Sequence, residues 1–373
     1  MSAPAPGPHA SRSRPSTPRD HGGGIDAAMA RWGGERDGWI DLSTGINPVP
    51  YPIPDLSPGC WTALPDRAAT ARITQAARSF WGVPDGAGVL AAPGASALIA
   101  RLPAVTGGPA HIPAPTYNEH AAAFRAAGHD VASMDTGQPV RVLVHPNNPD
   151  GRLWSTSDVG AAEAGMAGSS KTGISRAGSS RTHGHPQRSQ PSGAPHSGGT
   201  RRAFAAPDWT IIDESFCDVV PGASHISAAA RPGVVVLKSF GKFWGLAGLR
   251  LGFAAATPDT LSRLAEMLGP WPVSGPALEI GARALEDSAW AKVTRDRLGR
   301  DADRLDRLMQ GAGARVAGGT TLFRLYEVED AAHWQDRLGR AHILSRVFPY
   351  APHWLRLGLP APRDWPRVEA ALC

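Results

Sequence analysis

Lys238-Ser-Phe-Gly-Lys-Phe-Trp-Gly-Leu-Ala-Gly-Leu-Arg-Leu-Gly-Phe253 decides how this chain is read. It continues Val234-Val-Val-Leu237, a β-branched apolar run of the kind that forms a buried strand. Ser239 stands three residues before Lys242, and Arg250 eight residues after it. A lysine amine condenses with an aldehyde, and a hydroxyl and a guanidinium beside it suit a phosphate. Groups at a strand end lie where open α/β sheets bind their ligands.

Other segments supply matching pieces. Trp209-Thr-Ile-Ile-Asp-Glu-Ser-Phe216 is a short apolar strand ending on two carboxylates, and strand alternation points Asp213 and Glu214 to opposite faces. Val140-Arg-Val-Leu-Val144 runs into His145-Pro-Asn-Asn-Pro-Asp-Gly151. Ala92-Pro-Gly-Ala-Ser-Ala-Leu98 has the form of a tight glycine turn opening a helix, whose first N–H groups attract phosphate. Pro113-Ala-Pro-Thr-Tyr-Asn-Glu-His120 and Trp354-Leu-Arg-Leu-Gly-Leu359 add an aromatic ring and an arginine. Singly, each has an ordinary structural explanation: a strand-terminal Asp caps a turn, and Asn-Pro and Asp-Gly make one.

Together, and in this order, the segments resemble the fold-type I pyridoxal phosphate (PLP) enzymes of the class I/II aminotransferase superfamily. The lysine stretch matches the family pattern S-x-x-K-x-x-x-L-x-G-x-R-x-G at every specified position. The resemblance implies PLP as cofactor, linked to Lys242 as a Schiff base. Asp213 would keep the pyridine nitrogen protonated, Asn148 would bond the phenolic oxygen, and Tyr117 would stack on the ring. Ala95, Ser96, Ser239 and Arg250 would hold the phosphate. Arg356 would clamp the substrate carboxylate with its planar two-donor fork. The implied architecture is α/β, a large domain with a mostly parallel sheet plus a smaller α+β domain, assembled as a homodimer.

The N-terminal region narrows the resemblance. His21-Gly-Gly-Gly-Ile25, followed by Trp39-Ile-Asp-Leu-Ser-Thr-Gly-Ile-Asn-Pro-Val-Pro50, resembles the N-terminal signature of threonine-phosphate decarboxylases. That implies decarboxylation of L-threonine O-3-phosphate to (R)-1-aminopropan-2-yl phosphate in cobalamin biosynthesis. His21, Asn47 and Arg346 are then candidates for the substrate phosphate. A histidinol-phosphate-type aminotransferase is the nearest alternative, and a non-catalytic PLP-binding partner of a cobinamide-synthesis complex is one of another class. A PLP-binding regulator would need an N-terminal helix-turn-helix, for which residues 1–40 offer no pattern. Three positions depart from the wider family. Gly45 stands where many relatives carry Asn. Phe216 replaces a Tyr that bonds the phenolic oxygen, and Leu64 replaces a Tyr that reaches across the dimer to the cofactor phosphate.

Composition fits an enzyme with a large core: 373 residues, of which 42% are hydrophobic and 19% charged. No apolar run reaches the roughly 18 residues of a membrane span, and the N-terminus lacks the apolar stretch of a signal peptide. A cytoplasmic location is expected. Cys60, Cys217 and Cys373 are too scattered for a disulfide framework or a metal site. The net charge of +5 comes from two low-complexity regions: residues 165–204 carry +6 and residues 1–20 carry +2, leaving −3 elsewhere. No folded basic face interleaved with aromatics is evident, so neither nucleic acid nor membrane is an expected partner. His183, His185 and His196, irregularly spaced in the first of these regions, read as a solvated loop rather than a metal site. The expected organisation is a disordered arm at 1–18 and an N-terminal segment at 19–60 shared with the small domain. The large domain spans 61–272, with an insertion at about 165–204, and a small C-terminal domain spans 273–373. Helices are expected near 68–80, 119–127, 259–268 and 276–309, the last with Leu298, Leu305 and Leu308 inward.

Overall fold

The computed structural model describes residues 21–160 and 208–372. The expected arm, the 165–204 insertion with its three histidines, and Cys373 lie outside the described residues. The chain divides into two compact units. The larger comprises residues 53–241 and 248–288; the smaller draws together the N-terminal stretch up to Pro52, the short segment Lys242–Ala247, and residues from Ala289 onward.

A seven-stranded sheet forms the larger unit. Its order is Gly88–Ala92, Gly252–Ala256, Val234–Ser239, Trp209–Asp213, Val140–Val144, Ala110–His111, Val131–Ala132. The last five strands pair in parallel, while Gly252–Ala256 runs antiparallel to both its neighbours. Strands buried on both faces explain the unbroken apolar runs: Val234 to Leu237 and Ile211 to Asp213 are all buried. One apolar layer, with Leu98, Leu102, Phe124, Val235 and Leu264, covers one side, and another, with Leu143, Ile212, Ala229 and Val236, the other. The parallel register pairs Val144 with Asp213 and Asp213 with Leu237, so three motif-bearing strands end at one level.

Helix Arg67–Trp81 starts where Asp66 accepts the Ala69 N–H at 2.7 Å and stops at Gly82 in the left-handed region, φ 63°. It is held to helix Gly275–Glu286 through Arg72, which bonds Glu279 and Glu286, both at 2.8 Å. The single helix expected over 276–309 is two: Gly275–Glu286 and Ser288–Gly311. Asp287, at φ −96° and ψ 75°, leaves helical geometry between them.

The smaller unit holds an antiparallel four-stranded sheet, Arg346–Phe348, Ala351–Gly358, Phe323–Glu327, Arg315–Thr320. Ile40–Asp41 pairs in parallel with Ile343–Leu344. Helix Ser288–Gly311 buries Leu298, Leu305 and Met309; Leu308, expected inward with the first two, is half-buried. Among the described residues no helix is long and apolar enough to cross a membrane.

Candidate active site

In the larger unit, the expected cofactor residues gather at strand ends. Asp213 closes its strand fully buried. Its Oδ2 lies 2.8 Å from His120 Nε2, and its Oδ1 accepts the Ser215 hydroxyl and, at 3.1 Å, the Ser215 N–H. Burial by itself would raise the Asp213 pKa. The His120 and Ser215 hydrogen bonds outweigh it and hold the carboxyl below the usual carboxylate range. This is the condition a carboxylate must meet to keep a pyridine nitrogen protonated. Tyr117 precedes helix Asn118–Ala126, and its ring meets His120 edge-on at 6.3 Å. His120 escaped the sequence reading. Its spacing from Tyr117 puts the two on one helical face, but nothing in the sequence links it to a carboxylate 93 positions away.

Glu214 points to the opposite face, as alternation requires. It accepts Lys238 Nζ, the Ser224 hydroxyl at 2.6 Å and the His225 N–H at 2.5 Å. Burial would depress the Lys238 pKa, yet Glu214 and Asp218 raise it above the ordinary lysine value. Lys238 is thus a locked cation and unsuited to attack an aldehyde, which separates the motif's two lysines chemically. His145, Glu214 and Cys217 bring ligand-type atoms within 4.8 Å of one another. They do not make a metal site. His145 Nδ1 accepts the Trp154 N–H and its Nε2 donates to Ala223 O, while burial pushes the Cys217 thiol up and keeps it neutral.

The turn into helix Ala95–Ile99 owes its shape to glycine. Gly94, at φ 86°, opens helix Ala95–Ile99. A Cβ there would lie 2.7 Å from Arg250 Nη2, and one on Gly252 would collide with the Ala95 backbone N. The missing Cβ atoms let the loop backbone and the Arg250 guanidinium share one small volume. Arg250 itself adopts φ 53°, rare for a side-chain-bearing residue. Ala95 is buried and Ser96 exposed at the start of this helix, while Ser239 ends its strand with the Gly241 N–H 3.4 Å from its hydroxyl. Asn148 is half-buried in the turn after Val140–Val144. Its neighbour Asn147 shapes that turn, accepting the Thr116 hydroxyl at 2.6 Å and donating to Pro115 O and Asp150. An ionised buried Asp, an arginine against a glycine loop and a ring at a helix start fit PLP. Phe216 is buried without a hydroxyl to offer, and Leu64 is 66% exposed.

In the smaller unit, Arg356 sits opposite Arg346 across two antiparallel strands. Arg356 is 5% exposed and donates Nη2 to Ser43 O at 2.6 Å. Burial and the facing Arg346 charge lower its pKa to about 10. Like charges in register repel, which is a cost this pair carries within the sheet. Ser43 is fixed by Asp41 and also accepts the Gly23 N–H at 2.7 Å. A Cβ on Gly22 would come within 2.5 Å of Ser43 O, and Gly23 adopts φ 88°. The two glycines therefore let the backbone after His21 lie against the Leu42–Asn47 segment. A cavity of about 260 Å³ opens there, lined by His21, Arg31, Ser43, Ser345 and Arg346 among others. The Ser345 hydroxyl, 3% exposed, has no hydrogen-bond partner among the described residues. His21 and Arg346 thus share a basic cavity, which Arg31 extends.

Asn47, the third candidate for the substrate phosphate, is hydrogen-bonded to protein groups. It is 2% exposed, donates Nδ2 to Phe243 O at 2.8 Å, and accepts the Val49 N–H and Arg297 Nη2 on Oδ1. These three bonds spend its polar atoms on the protein, leaving one amide hydrogen for a ligand. Lys242 belongs to the same segment: its carbonyl accepts the Asn47 N–H at 3.0 Å.

Comparison with known proteins agrees with this chemistry. The model of the family "Aminotransferase class I and II" matches residues 205–372. Histidinol-phosphate aminotransferase from Sinorhizobium meliloti, solved in complex with pyridoxal-5'-phosphate, superposes with a TM-score of 0.69 at 16% identity, covering 98% of this chain and 97% of that one. The fold is that of the fold-type I PLP-dependent enzymes. Threonine-phosphate decarboxylase from a Sinorhizobium species is 38% identical over 353 residues, 92% of this chain and 94% of the relative. The Pseudomonas aeruginosa enzyme of that name is 36% identical over 363 residues, 95% and 97% of the two chains. The chain belongs to the threonine-phosphate decarboxylase family.

Proposed function

We propose that this protein decarboxylates L-threonine O-3-phosphate, yielding (R)-1-aminopropan-2-yl phosphate for cobalamin biosynthesis, as a cytoplasmic homodimer. Kinship along nearly the whole chain with threonine-phosphate decarboxylases carries the reading, and the basic cavity beside His21 gives a phosphorylated substrate somewhere to bind.

Bound PLP supplies an aldehyde for amine exchange and an electron sink for the pair left at Cα when CO2 departs. The residues do the rest. Lys242 Nζ would anchor the cofactor and would be the amine placed to return a proton to Cα. Asp213, ionised by its His120 and Ser215 bonds, keeps the pyridine nitrogen protonated. Gly94 to Ser96, Ser239 and Arg250 hold the cofactor phosphate, Tyr117 covers the ring and Asn148 bonds its phenolic oxygen. Arg356 takes the substrate carboxylate, which satisfies a guanidinium that burial and Arg346 otherwise penalise. His21, Arg346 and the Ser345 hydroxyl take the substrate phosphate. Asn47, its side chain spent on Phe243, Val49 and Arg297, is not among the phosphate ligands in this reading.

The test is CO2 release from the PLP-loaded protein given L-threonine O-3-phosphate, beside a tube of histidinol phosphate and 2-oxoglutarate assayed for glutamate. Release of CO2 that disappears in Lys242→Ala is the expected result. Glutamate formation without CO2 would make the protein an aminotransferase.

A further inference from the structure

Three consecutive carbonyls of the lysine segment accept hydrogen bonds from residues 47–51. The Asn47 N–H reaches Lys242 O at 3.0 Å, Asn47 Nδ2 reaches Phe243 O at 2.8 Å, and the Tyr51 N–H reaches Trp244 O at 2.9 Å. The middle rung is a side chain, and its orientation is imposed. Val49 N–H at 3.0 Å and Arg297 Nη2 at 2.6 Å both donate to Oδ1, which leaves Nδ2 for Phe243. Arg297 is steadied in turn by Asp301, one helical turn away, at 3.1 Å. The approach of the two strands of chain is close. A Cβ on Gly245, at φ 70°, would fall 2.7 Å from Pro50 Cα. Phe243 and Trp244 are fully buried, Trp244 stacks on Trp290 at 5.2 Å, and Arg295 lies over the Phe243 ring. The backbone that carries Lys242 is therefore held both by hydrogen bonds and by aromatic packing.

We infer that Asn47 and Arg297 are positioning residues for the catalytic lysine: Arg297 orients the Asn47 amide, and Asn47 fixes the Lys242–Trp244 backbone from which Nζ is presented. Decarboxylation and proton return depend on the placement of Nζ, and misplacement by about 1 Å costs on the order of 100-fold in rate. The affinity for substrate, set by arginine contacts elsewhere, is not expected to depend on this clamp. The inference rests on Lys242 being the cofactor lysine, as proposed above.

The experiment uses the full-length, PLP-loaded protein. It compares Asn47→Ala, Arg297→Met and Arg297→Lys with wild type, with Lys292→Met on the exposed face of the same helix as a control and Lys242→Ala as a reference. Three quantities are read: the pH midpoint of the visible absorbance of the lysine-bound cofactor, kcat, and KM. We expect Asn47→Ala and Arg297→Met to displace the midpoint by about one pH unit. They should also lower kcat on the order of 100-fold, with KM changed less than about twofold. Arg297→Lys, which keeps a cationic donor for Asn47, should recover most of the loss, and Lys292→Met should match wild type. An unmoved midpoint with wild-type kcat in Arg297→Met would overturn the inference, as would a raised KM at wild-type kcat in Asn47→Ala. If Asn47→Ala does not fold, the Arg297 pair decides alone. Visible absorbance that survives Lys242→Ala would instead sink the lysine assignment, and the clamp with it.

Discussion

Asp213 shows how single contacts decide whether a buried carboxylate can work. Three hydrogen-bond donors or partners surround it, and only the ionised form can use them all, so they depress a pKa that burial would raise. Ser215 contributes two of these through its hydroxyl and N–H. Replacing Ser215 by Ala keeps the N–H and removes the hydroxyl, so the carboxyl pKa rises. Activity that needs the carboxylate then begins its acid-side fall at a higher pH. One hydrogen bond to a charged group, about 1.4 kcal/mol, corresponds to about one pH unit. The depressed folded-state pKa also means that this bond stabilises the fold above the unfolded carboxyl pKa, and the benefit disappears as pH falls through the folded value. A pH–rate profile of Ser215→Ala superimposable on wild type would show that the hydroxyl does not tune Asp213.

Among elements, the turn from strand Gly88–Ala92 into helix Ala95–Ile99 shows the strongest backbone demand. Gly94 combines φ 86° with ψ 154°, a region open in practice only to glycine. Gly94→Ala faces that strain, about 1–3 kcal/mol, and a clash with Arg250 Nη2 at 2.7 Å. The apparent Kd for PLP, measured by titrating the apo-protein, should rise roughly 10- to 100-fold; an unchanged Kd would mean that this loop does not carry the phosphate. The turn was legible in the sequence because glycine announces positive φ, and the buried strands were legible because apolar β-branched runs rarely do anything else. The clamp on Lys242 was not legible, because hydrogen bonds to backbone carbonyls leave no residue-type signature and Asn47 and Arg297 are 250 positions apart. The basic pair Arg346 and Arg356 was readable as two residues; their register across a hairpin was not. The helix break at Asp287 stayed hidden because neither Gly nor Pro marks it; a single non-helical Asp separates the two helices.

At the scale of the whole molecule, the larger unit carries an apolar surface that its own core does not use. Ile53, Trp61, Leu64 and Trp271 are each more than half exposed. Trp271 is held at φ 52°, a costly conformation for a tryptophan. It lines a cavity of about 600 Å³ with Val89, Leu90, Ala265, Pro272, Val273 and Leu278. Large exposed apolar side chains beside an apolar cavity suit a subunit contact, and tryptophan is a typical anchor in one. The homodimer proposed above would cover it with a second copy. In a twofold interface each residue acts twice, so an anchor worth ~2 kcal/mol contributes ~4 kcal/mol, on the order of 1000-fold in dissociation constant. Trp271→Glu should therefore convert a dimer to a monomer at micromolar concentration in sedimentation velocity, with helix content preserved by circular dichroism. A wild-type protein that sediments as a monomer, or a Trp271→Glu variant that stays dimeric, would place the subunit contact elsewhere or remove it.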